Sequence, residues 1–97
     1  MSTPEGLVKN RVKSVLTKYT GDVYVHMPVL NGMGTPSLDF IGCFNSKFFA
    51  IETKAFGKKP TMMQLATIEK MRSAGAEVFV IDGDTSELEA WFFKNRF

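Results

Sequence analysis

The chain has a single cysteine, Cys43, set in an apolar run, so no internal disulfide can form, and no Cys/His set has the spacing of a zinc site. It also has a single histidine, His26, beside Met27-Pro28, which reads as a surface or strand-edge residue rather than a catalytic one. No apolar run approaches the ~18 residues needed to span a bilayer. No stretch resembles a signal peptide, so a reducing cytoplasm and no membrane partner are expected. Repeats, low-complexity tracts and linkers are missing as well, which leaves one domain over residues 1–97. The net charge is only +2, too small to argue by itself for a nucleic-acid partner.

What is present is an ordinary globular composition: 44% hydrophobic, 23% charged, with nine phenylalanines to supply a core. The charge is unevenly spread. Residues 1–60 carry eight Lys/Arg against four Asp/Glu, and residues 61–97 carry four against six. The basic half therefore offers a face to a polyanion.

Thr3-Pro4-Glu5 is a helix start, with a capping hydroxyl, a proline at the first helical position and an acid in the first turn. The helix should run to about Tyr19 and stop at Gly21. Val8, Val12, Val15, Leu16 and Tyr19 form its inward stripe, which Glu5 extends at the N-terminal end. Strands are expected over 23–27, 38–44 and 47–54, the last two joined by a tight turn at Asn45-Ser46, and 30–35 reads as a loop or wide turn. A basic loop over 57–60 leads to a helix capped by Thr61 and ended by Gly75, with Met62, Met63 and Met71 read as packing. A short apolar strand over 78–81 follows. Asp84-Thr85-Ser86-Glu87 reads as a capping box for a last helix bearing Trp91, Phe92 and Phe93, whose surplus aromatics, with Phe97, suggest a subunit contact. The order is α-β-β-β-α-β-α. The first three strands should be antiparallel and the third and fourth parallel, a mixed α/β sheet flanked by helices.

The chemistry gathers at the second and third strands. Side chains alternate along a strand, so Glu52 and Lys54 share a face. Counting symmetrically outward from Asn45-Ser46 sets Asp39 opposite Glu52, where two carboxylates lie ~4.5–5.5 Å apart at the Cβ atoms. Like charges so placed repel unless a cation sits between them, and removing either one should hold or raise stability. A hard divalent ion such as Mg2+ or Mn2+ suits two carboxylates, and Lys54 would then orient a water or stabilise developing negative charge. Such a site suits phosphodiester hydrolysis. The competing readings are an ion-pair network without a ligand and a non-catalytic nucleic-acid-binding module.

Pro36…Asp39…Glu52-Thr53-Lys54 resembles the motif of the PD-(D/E)xK nuclease superfamily. Gly34-Thr35-Pro36, Ala50-Ile51-Glu52-Thr53-Lys54 and Gly57-Lys58-Lys59-Pro60-Thr61, with Gln64 ten residues past Lys54, look most like its VRR-NUC group, the virus-type replication–repair nucleases. Ser37-Leu38 separate the proline from the acid, a departure that touches the loop rather than the acid's place on the strand. The resemblance implies a restriction-endonuclease-like core and an Mg2+- or Mn2+-dependent endodeoxyribonuclease. Its substrate would be branched DNA such as four-way (Holliday) junctions, cut by a homodimer in the cytoplasm of a bacterium or phage-infected host, in DNA repair. Asp39, Glu52 and the Thr53 carbonyl would hold the metal, with Glu5 assisting, through water in one version. Lys54 would be the catalytic lysine and Gln64 a polar residue facing the site. Lys58 and Lys59 would touch DNA phosphates, as would Lys9 in a minority reading of the wet face that it forms with Arg11, Lys13 and Lys18.

Overall fold

The hairpin at the centre of the sheet sets the frame. The computed structural model describes residues 3–19, 22–29 and 36–97. In chain order the elements are α1 (Pro4–Thr17), β1 (Val23–His26), β2 (Phe40–Phe44), β3 (Lys47–Thr53), α2 (Met62–Ser73), β4 (Glu77–Ile81) and α3 (Ser86–Lys94). The expected loop over 30–35 and the expected stop at Gly21 lie outside the described residues. Asn45 and Ser46 have φ of 50° and 70°, the signature of a two-residue turn that matches strand twist. That turn fixes Phe44 against Lys47 and, four steps on, Phe40 against Ile51.

The strands lie in the order β1-β2-β3-β4, antiparallel across the first two junctions and parallel across the last. This is the mixed α/β sheet expected from the sequence. One face carries Val23, Val25, Phe40, Phe44, Phe49, Ile51, Phe79 and Ile81, covered by α1 and α3. The other carries Ala50 and Val78 under α2, with Leu38, Ile68 and Ala76. Gly42 has no side chain because none fits: a Cβ there would lie 2.1 Å from the Tyr24 carbonyl and 3.0 Å from the Phe49 ring. No described helix is long and apolar enough to cross a membrane.

The helix caps are partly as expected. Thr3 accepts from the Gly6 amide at 2.9 Å, with Pro4 opening α1. Thr61 and Gln64 form a reciprocal box at the start of α2. The box expected at 84–87 is replaced by a turn in which the Ser86 amide donates to Asp84 Oδ1 at 2.9 Å. Thr85 is not extended, so its hydroxyl donates to Glu89 instead of capping the helix.

Packing differs from expectation in two places. Trp91 is half-buried and Phe92 fully buried, in a ring cluster with Tyr19, Phe44, Phe49 and Phe79. Trp91 and Phe92 of α3 thus belong to the core. Only Phe93 and Phe97 face outward, with the Arg96 guanidinium over both. Conversely, α2 buries only Ile68, and Met62 and Met63 are exposed rather than packed.

Two substitutions test the hairpin. Ser46→Gly should stabilise by about 0.5–1 kcal/mol, because glycine takes φ > 0 without a Cβ penalty. Gly42→Ala should destabilise by about 2 kcal/mol or more, since backbone must move to admit the methyl group. Urea unfolding of both variants checks the opposite signs.

Candidate functional site

Strand β2 begins at Phe40, and Asp39 precedes the ladder in a bend. The register still runs as counted, so Asp39 follows the Phe40↔Ile51 pair at the level of Glu52. Its carboxylate does not simply stand beside Glu52 on one sheet face, however. Asp39 Oδ2 accepts from the Thr53 amide at 2.9 Å and from the Thr53 hydroxyl at 2.7 Å. Thr53 is wholly buried, and the Asp39 side chain supplies the acceptor for its amide. Asp39 Oδ1 faces Lys9 Nζ of α1 at 3.8 Å.

Glu52 is 4% exposed. Burial pushes its carboxyl up to about 7, the negative charge of Asp39 adds to the rise, and Lys54 opposes it. The Asp39 backbone amide also opposes the rise. The uncomfortable neighbour inferred from the sequence is thus an acid that holds a proton near neutrality. Lys54 is half-buried, on the same strand face as Glu52 by alternation, and its amide donates to the Ile81 carbonyl at 2.9 Å.

Backbone directions identify another oxygen. The Lys54 amide points to β4, whereas the Thr53 amide points to Asp39. The amide and carbonyl of one strand residue point the same way, so the Thr53 carbonyl opens toward Asp39 as well. Among the described residues no group of three His, Cys, Asp or Glu side chains is positioned to hold a metal ion. Glu5 is half-exposed in the first turn of α1, one turn before Lys9, and does not complete such a group. The oxygen donors at this end of the sheet are the Asp39 and Glu52 carboxylates, with the Thr53 carbonyl turned to the Asp39 side. This all-oxygen set fits Mg2+ or Mn2+, with water filling the remaining positions.

The other expected residues fall as follows. Gln64 is half-buried, and its Oε1 accepts from the Thr61 amide at 2.9 Å, so its amide group caps α2. Lys58 and Lys59 are exposed in the loop that follows Lys54. His26 is exposed on the edge strand β1. The basic residues of α1 are not simply a wet face: Lys9 pairs with Asp39, Arg11 Nη1 donates to the Gly83 carbonyl at 3.2 Å, and Lys18 pairs with Glu89 at 2.7 Å. Lys9 and Arg11 thus brace α1 to β2 on one side of β3 and to the loop after β4 on the other. The sequence signal for Lys9 was its position one helical turn beyond Glu5; Arg11 carried none. Compared with protein-family models and with curated proteins, the chain finds no match.

The two acids should respond in opposite ways to removal, not alike. Glu52 binds its proton more tightly folded than unfolded, so its contribution is fully present below about 4.5 and is lost as pH rises through about 7. Glu52→Gln, which mimics the protonated form, should match wild type near pH 4.5 in EDTA and exceed it by on the order of 3 kcal/mol at pH 8. Asp39→Ala should instead cost about 1–3 kcal/mol, because it orphans the buried Thr53 amide and hydroxyl. Denaturant unfolding across pH measures both.

Proposed function

We propose that this chain is a divalent-cation-dependent endonuclease acting on DNA. The observation that carries the reading is the pair of acids at the end of β3, Asp39 held by Thr53 beside the buried Glu52 whose carboxyl is pushed up, with Lys54 on the face of Glu52. The resemblance of Pro36…Asp39…Glu52-Thr53-Lys54 to the VRR-NUC pattern supports it, as does the α-β-β-β-α-β-α order. A cation held there would polarise a phosphoryl oxygen and lower the pKa of a bound water. Glu52 would hold such a cation as its carboxylate, its proton passing to solvent. Asp39 keeps its orientation through Thr53, so its other oxygen remains free to turn from Lys9 to a stronger charge. Lys54 supplies a positive charge where negative charge develops on the phosphate oxygens. Lys58 and Lys59 neutralise flanking phosphates.

The finer version of the proposal is a homodimer selective for branched DNA such as a four-way junction, since two-fold symmetry sets two sites across a two-fold substrate. With Trp91 and Phe92 in the core, outward Phe93 and Phe97 are the parts of the C-terminal region left to contribute to such a contact.

One observation favours a second reading. Lys9 already faces Asp39, and among the described residues no third acid joins the pair, which suits a nucleic-acid-binding module that keeps the fold without cutting.

A panel of single-stranded, duplex, flap and four-way DNA, incubated with Mg2+, Mn2+ or EDTA, decides between the two. The nuclease reading expects metal-dependent cutting, fastest on the four-way substrate. Lys54→Ala should lower the rate on the order of 10²–10³-fold while leaving cation binding intact. DNA binding without cutting of any substrate would instead select the second reading.

A further inference from the structure

Phe40, Phe44, Phe49 and Phe92 are at most 1% exposed, whereas Tyr24, Phe48, Phe93 and Phe97 are exposed. Phe56 is 87% exposed, two residues past Lys54. An exposed phenylalanine is by itself ordinarily without consequence. Here three features set it apart.

The first is that its backbone is fixed. The Lys58 amide donates to the Ala55 carbonyl at 2.9 Å, and Gly57 has φ of +80°, the pattern of a type II turn with Phe56 at its first corner. The Gly57 amide donates to Asp82 Oδ2 at 3.3 Å, which pins the turn to the segment after β4. The second is that the ring is flanked. A Cβ built at Gly83 would lie 3.8 Å from Arg11 Nη1 and 4.0 Å from Phe56 Cδ2, so a guanidinium and the aromatic edge converge on one glycine. Arg11 is itself held there by the Gly83 carbonyl. The third is location. At about 3.3 Å per residue, the Cα of Phe56 lies within roughly 7 Å of that of Lys54. Lys58 and Lys59 follow directly on the same turn.

We infer that Phe56 is a base-stacking residue, which takes the face of an unpaired or unstacked nucleobase beside the phosphate addressed by Lys54. The inference rests on the nuclease reading and names what its substrate must offer. Cations on either side of the ring take phosphates, whatever the sequence. An aromatic face adds binding only where a base has a free π-face. Inside a continuous duplex every base is already stacked on both sides, so the ring gains nothing there without a wedge-like distortion. At a gap, flap or branch point a base face is available. The rigid turn means that little ordering is needed when the ring is engaged. Preference for interrupted DNA would then reside in one side chain of each subunit, independent of any dimer.

The test compares wild type, Phe56→Ala and Phe56→Trp in EDTA, so that no cutting occurs. The probes are a continuous duplex and the same duplex with a short single-stranded gap holding 2-aminopurine. Phe56→Ala should weaken binding to the gapped probe on the order of tenfold and leave the continuous duplex within twofold. Phe56→Trp should retain gapped-probe binding. Wild type and Phe56→Trp should quench 2-aminopurine and Phe56→Ala should not. Thermal unfolding should be the same for wild type and Phe56→Ala, since the ring is outside the core. Equal losses on both probes, or none on either, with DNA binding by wild type intact, would overturn the role of Phe56 and leave the nuclease reading standing. Absence of binding to either probe by wild type would remove the nuclease reading and this inference together.

Discussion

Asp39 Oδ2 takes the Thr53 amide and hydroxyl at the point where β2 begins and β3 continues, and the geometry of the site depends on that pair of hydrogen bonds. Strand β3 runs its last residues through the centre of the fold, where Thr53 is fully buried and Glu52 nearly so. Without Asp39 the Thr53 amide has no acceptor on that side. With it, a second carboxylate is held beside Glu52, and burial together with that charge keeps a proton on Glu52 up to about pH 7. Structural satisfaction of one buried group thus creates electrostatic demand at the next. A cation between the acids, as proposed, would answer that demand. Lys9 and Lys54 offset it in part from α1 and from the strand itself.

The supporting architecture serves that one point. The Asn45-Ser46 turn fixes the register, and the register carries Asp39 to the level of Glu52. The parallel pairing of β3 with β4 turns the Lys54 amide away to Ile81, leaving the Thr53 amide and carbonyl to the Asp39 side. Helix α1 lies across the end of β3 with Lys9 reaching to one side and Arg11 to the other. The end of β3 is therefore braced from both flanks, and the turn carrying Phe56 grows out of the same braced end.

The element order, the strand directions and the register were legible in the sequence because each rests on local rules: a two-residue turn between apolar runs, a capping threonine, a crossover helix between strands. The candidate site was legible as far as strand alternation reaches, which is to Glu52 and Lys54. What escaped depends on tertiary geometry. Asp39 serves the Thr53 backbone because β2 begins at Phe40, two residues later than the apolar pattern suggests. Lys9 and Arg11 are solvated in an isolated helix and become braces only once α1 is docked. Trp91 and Phe92 turn inward because Phe44, Phe49 and Phe79 form a wide aromatic bed, which no count of aromatics on one short helix reveals. Met62 and Met63 stay outside because α2 meets the sheet along a strip no wider than Ile68 and Met71.

The central claim is that Asp39 and Glu52 form a cation site whose metal-free form holds a proton on Glu52. Calorimetric titration of Mn2+ into the protein, repeated in buffers of different ionisation enthalpy, reads that proton directly. The account predicts one bound ion with close to one proton released at pH 6, falling toward none at pH 9, and no binding by Glu52→Gln. Binding without proton release at pH 6, or binding that survives in Glu52→Gln, would contradict it.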